Sequence, residues 1–149
     1  MLKQLDLRLG SQLLLIDLLN GYLEKIRNSP MFNKVTVDLI VHSDDKSEFA
    51  LYLVEDAPWG DVELRVKKMQ DRVYTTVDAV LDGIVASDYP DSKGKRIRIE
   101  VVCRGESPSP RFREVVNRLN QIIHSVDDYV SDINRSGYVS SLEITYSQR

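Results

Sequence analysis

The feature that most constrains this chain is an apolar stripe across residues 110–135. Phe112, Val115, Val116, Leu119, Ile122, Ile123, Val126, Tyr129, Val130 and Ile133 recur there at helical spacing. Side chains three and four residues apart share one face of an α-helix, and an apolar face of that width has to be covered. Ser109 stands where a helix takes its N-cap, Pro110 fits the first helical position, and Gly137 follows the last apolar residue. The spacing therefore predicts one helix over residues 110–135.

Two further helices read the same way. Val62, Val66, Met69, Val73, Val77, Val80, Leu81 and Ile84 form a stripe over residues 61–86, entered through Asp56-Ala57-Pro58-Trp59-Gly60. Leu15, Leu18, Leu19, Tyr22, Leu23 and Ile26 predict a helix over residues 11–28, which Asn28-Ser29-Pro30 ends. Residues 2–9 fit two patterns: Leu5, Leu7 and Leu9 alternate like a strand, whereas Leu2, Leu5 and Leu9 continue the heptad spacing of the helix that follows.

Alternation at period two marks strands between the helices. Val35, Val37, Leu39 and Val41 form the first, and residues 49–54, apolar on both faces, read as a central strand. Ser43-Asp44-Asp45-Lys46-Ser47 joins these two as a hairpin turn. Residues 96–103 place Ile97, Ile99, Val101 and Cys103 inward, with Arg98 and Glu100 outward. Residues 139–146 place Leu142, Ile144 and Tyr146 on one face and Glu143 and Thr145 on the other.

The element order predicts a single α+β domain. Its expected form is a two-layer sandwich of long amphipathic helices on a four- or five-stranded, mainly antiparallel sheet. With a strand at the start, residues 1–104 run β-α-β-β-α-β, the ferredoxin-like order, with an α-β unit added. A helix of 26 residues spans about 39 Å and a seven-residue strand about 23 Å. The two long helices should then overhang the sheet, and an overhanging apolar stripe asks for another helix or another subunit.

Composition narrows the function classes. Apolar residues make up 42% and charged residues 29% of 149, ordinary values for a globular domain. Cys103 is the only cysteine. A single thiol closes no internal disulfide and no CxxC metal site, which fits a reducing compartment. Charges interrupt the leucines of the first nine residues, and the longest apolar run there is residues 13–16. No targeting segment or membrane span is expected, and the location expected is cytoplasmic. A net charge of −3 and strands without a stacking-aromatic pattern argue against nucleic acid.

Candidate sites follow from local chemistry. Residues 93–123 carry eight bases against three acids in an otherwise acidic chain. Within them Arg104, Gly105, Ser109, Arg111 and Arg113 flank a strand-to-helix junction, where free N–H groups and the helix dipole favour an anion. The loop lacks GxxxxGK[ST] and GxGxxG patterns. Trp59, with Asp44, Asp45, Glu55 and Asp56, forms a candidate protein interface, acidic enough to face a basic partner. His42 reads as part of the hairpin, His124 as a surface or core-edge residue, and Cys103 as packing. No catalytic residues, metal ligands or cofactor are expected. The reading is a non-enzymatic interaction module, of the immunity or inhibitor type or an assembly subunit, with another protein or a second copy as partner. The alternative is a small-ligand or anion-binding regulatory domain, and an enzyme of unknown class is the third.

Overall fold

A computed structural model describes residues 4–5 and 37–149. The helix expected over residues 11–28 lies outside the described residues. In chain order the elements are β1 (Gln4–Leu5), β2 (Leu39–His42), β3 (Glu48–Asp56), α1 (Val62–Leu81), α2 (Ile84–Asp88), a 3-10 turn (Pro90–Ser92), β4 (Lys95–Arg104), α3 (Arg111–Ser125), α4 (Asp127–Arg135) and β5 (Val139–Gln148). Of the two readings of residues 2–9, Gln4–Leu5 adopts the strand, parallel to β2.

The strands lie in the order β1-β2-β3-β4-β5. Only β2 and β3 pair antiparallel, through the expected hairpin; β3–β4 and β4–β5 pair parallel. The sheet is therefore mixed, not mainly antiparallel, and its sequential order is not the ferredoxin-like one. The physical reason is the connections. Each pair of strands from β3 to β5 is separated by a helical crossover long enough to return the chain to the same end of the sheet.

β3 is central, as its two apolar faces require. Phe49, Leu51 and Leu53 join Ile97, Ile99, Val101, Cys103, Leu142 and Ile144 in one core with α1 and α3. On the opposite face Leu39, Val41, Ala50, Tyr52, Val54 and Val102 are buried as well. Arg98 and Glu100 do point away from the helices, but that face is not open: Glu100 is only 4% exposed.

Neither long helix is continuous. Asp61 caps α1 by accepting from the Leu64 N–H at 3.2 Å, but the helix ends at Leu81. Gly83 follows at φ +83°, and the Tyr138 ring lies 2.5–2.8 Å from where a Cβ would stand, so only glycine fits the turn. The stripe over residues 110–135 breaks at Val126, which is extended (φ −79°, ψ 125°). His124 Nδ1 lies 2.7 Å from the Asn120 carbonyl, and the Ser125 hydroxyl donates to the Gln121 carbonyl at 2.7 Å. Such back-bonding competes with the helix ladder, while Asp127 and Asp128 favour a fresh helix N-terminus. The overhang consequently disappears. A 20-residue α1 spans about 30 Å, and the nine- and ten-residue strands beneath it span about as much.

Candidate functional site

The carboxyl ends of β3, β4 and β5 bring together residues far apart in sequence. Asp56 ends β3 and Arg104 ends β4, paired in register. The Arg104 guanidinium grips Asp56 with both arms, Nε–Oδ1 at 2.7 Å and Nη2–Oδ2 at 2.8 Å. One residue earlier, Glu55 accepts from Arg65 at 3.2 Å and lies 3.8 Å from Arg72. Arg72 reaches on to Asp38 at 2.5 Å, and also donates to the Val54 carbonyl. Asp38 accepts from the Val54 N–H at 2.7 Å, so this pair completes the hydrogen bonding of β3 where β2 stops.

Trp59 joins the same end of the sheet. It is buried, its ring 5.4 Å from that of Phe112, with Arg65 stacked 5.1 Å from its centroid. Its indole N–H donates to the Glu106 carbonyl at 3.0 Å. The tryptophan thereby ties the loop after β3 to the loop after β4. Of the candidate interface residues, Trp59, Glu55 and Asp56 thus meet here, beside Arg104 and Gly105 of the candidate anion site.

The donors of that anion site are engaged within the chain. The Gly105 N–H donates to the Arg149 carbonyl at 3.2 Å. The Ser109 hydroxyl accepts from the Arg111 N–H at 3.0 Å, the capping role its position predicts. Arg111 pairs with Glu63 at 3.3 Å, and Arg113 lies 5.1 Å over the Tyr146 ring. The Tyr146 hydroxyl donates to Gln148 Oε1 at 2.9 Å. Burial, chiefly, pushes the Cys103 thiol up to about 11 and the Tyr146 hydroxyl up to about 12.

Asp44 and Asp45 sit at the opposite end of the sheet, in the β2–β3 turn. Asp45 accepts from the Ser47 N–H at 3.0 Å and from the Ser43 hydroxyl at 2.9 Å. Hydrogen bonds from Ser47, its side chain first, and from Ser43 lower the Asp45 carboxyl to about 2. His42 is buried beside Phe49 with ring centroids 5.5 Å apart, and His124 is exposed on α3. No group of three or more His, Cys, Asp or Glu that could hold a metal ion occurs among the described residues. No helix of the described residues is long and apolar enough to cross a membrane.

Two features escaped the sequence reading. One is a polar seam on the sheet face turned from the helices. Glu100 accepts there from Arg98, from the Ser147 hydroxyl at 2.8 Å and from Arg149 at 3.2 Å. Strand alternation classed Glu100 as solvent-facing, because period two separates faces without saying which are covered.

The other is a groove of about 440 Å³ between α1 and α3, lined by Gln70, Arg111, Glu114, Val115, Arg118, Leu119 and Ile122. Val115, Leu119 and Ile122 lie on one helical stripe and supply an apolar floor; Arg111, Glu114 and Arg118 supply a polar wall. The Glu63–Arg111 pair stands at one end. At the other, one turn beyond Gln70, Tyr74 stacks on Tyr129 of α4 with ring centroids 6.3 Å apart. Arg118 is exposed and has no ion-pair partner among the described residues. The apolar stripe was read from sequence as a face that overhangs the sheet and asks for another helix or another subunit. The signal for the groove was the arginines at positions 111 and 118, two turns apart on the edge of that stripe.

No curated protein and no solved structure matches the chain. A family model does match residues 29–131, a span running from before β2 into α4 and covering both helices of the groove. The chain belongs to that family, DUF6572, described as a family of unknown function.

Proposed function

We propose that this chain is a protein-interaction module that docks its partner along the α1–α3 groove. The observation carrying this reading is the groove's make-up, an apolar floor beside a polar wall in which Arg118 has no ion-pair partner among the described residues and Arg111 is held only by the exposed Glu63. Helix-in-groove recognition needs such a floor for apolar anchors spaced at helical intervals. Arg118 and Arg111 are placed to meet carboxylates on the same segment, which favours an acidic amphipathic partner. The exposed Glu63–Arg111 pair contributes at most a few tenths of a kcal/mol and exchanges readily for a better acceptor.

The acidic residues considered as an interface, Asp44, Asp45, Glu55 and Asp56, support docking less well. Glu55 and Asp56 are held in internal pairs and Asp45 by the donors of its own turn, which favours the α1–α3 groove as the docking surface. A cytoplasmic setting belongs to this reading, supported by the single buried thiol. A small amphipathic acid is the second reading of the same groove, supported by a volume within the usual range of ligand sites.

The test is photo-crosslinking in the cells that make the protein, with a photoreactive residue at Gln70 and a control at Ser140. A discrete heavier adduct from position 70, absent from position 140, is the expected result. Equal labelling at both positions, or no adduct at 70, contradicts the proposal.

A further inference from the structure

α4 differs from the other long helices in how it is held. Eight residues of α1 and five of α3 are buried, whereas none of the nine in α4 is. α4 lies against α3 and β5, and the apolar side chains it packs on the core are Tyr129, stacked on Tyr74 with a 17° angle between the rings, and Ile133, both only partly buried. The chain leaves helical geometry at both of its ends. Val126 is extended and 43% exposed before it, and Gly137 has φ +75° after it.

The charges beside α4 oppose its docking. Burial first, then the charges of Asp82 and Asp132, push the Asp78 carboxyl up. Asp132 belongs to α4 and Asp78 to α1, so the two helices meet with like charges on both sides. An aromatic pair is worth only about 0.5–1.5 kcal/mol. Helices with few buried contacts are drawn from the low-stability end of a fold and open without global unfolding.

From these contacts we infer that α4 is a hinged flap closing one end of the α1–α3 groove. It swings on Val126 and Gly137, releasing Tyr74 and lengthening the groove toward the carboxyl end of α1. The longer groove would admit a longer helical segment than the closed one. This last step rests on the docking role of the groove; the hinge itself does not.

The flap is tested on the free full-length chain by native-state amide hydrogen exchange, with no partner present. Amides of residues 128–135 are expected to exchange on the order of 100-fold faster than those of residues 115–123, at conditions where the core stays protected. Tyr129→Ala should speed residues 128–135 by a further roughly three- to tenfold, leaving residues 115–123 unchanged. Equal protection of the two helices would overturn the flap, as would acceleration of both by Tyr129→Ala. Because no partner is added, a failed flap is distinguishable from a groove that binds nothing.

Discussion

The arginines at the carboxyl ends of the strands and those along the groove have the same chemistry in opposite roles. Arg72 and Arg104 are 15% and 17% exposed, and each is held by a carboxylate of the sheet. Arg111 is 47% exposed against a Glu63 that is 70% exposed, and Arg118 lacks an ion-pair partner among the described residues. Partly buried pairs cannot be broken cheaply, because removing one partner strands the other in a low dielectric. Exposed pairs are nearly neutral to stability. The first set therefore closes the end of the sheet, and the second is the set on which the proposed docking rests. Position in the chain does not separate the two sets, since Arg104 and Arg111 stand seven residues apart.

Substitutions along this contrast should fall in a definite order. Arg72→Ala leaves Asp38, 3% exposed, without its cation, and should destabilise by about 3–5 kcal/mol in urea unfolding. A loss below about 1 kcal/mol would place Arg72 with the exposed set. Arg104→Ala should cost about 1 kcal/mol, because Asp56 keeps 34% exposure and water can replace the lost arms. A loss as large as that for Arg72 would show the carboxyl ends to be one inseparable network.

The smallest effect belongs to the other end of the sheet, where Asp45 is held by hydroxyl and amide donors. Its folded carboxyl titrates at about 2, below its ordinary 3.8. Bonds to the ionised form are thus fully present above the ordinary value and are lost as pH falls through about 2. NMR titration of the Asp45 carboxyl should find its midpoint near 2, moving up in Ser47→Ala. A midpoint near 4 in the wild-type chain would mean the turn does not hold this carboxylate.

Much of the architecture could be read from local chemistry, and its failures have a common cause. Phe49 to Val54 announced a central strand, Asp61 a helix start and Cys103 a packing thiol, because burial and capping are written in single positions. The helix breaks were harder. The apolar stripe runs through Val126 without interruption, so periodicity alone joined α3 to α4. The competing signals were Ser125, whose hydroxyl bonds back to the Gln121 carbonyl, and the acids Asp127 and Asp128, which suit the first turn of a new helix. Asp82-Gly83 gave a similar signal at the end of α1, since glycine past a helix end takes positive φ. Strand direction was misread even though the helices between β3, β4 and β5 carried the signal, since a helical crossover returns the chain to the same end of the sheet. The candidate site was hidden for a related reason: Gln70 and Arg118 are 48 residues apart, and only the parallel packing of α1 and α3 makes them neighbours.

The docking role of the groove is tested most directly by one paired measurement on Arg111→Glu/Arg118→Glu, comparing its crosslinking from position 70 with its thermal stability. The account predicts a lost adduct, with stability changed by less than about 1 kcal/mol. An adduct of wild-type intensity on a folded double variant would contradict it.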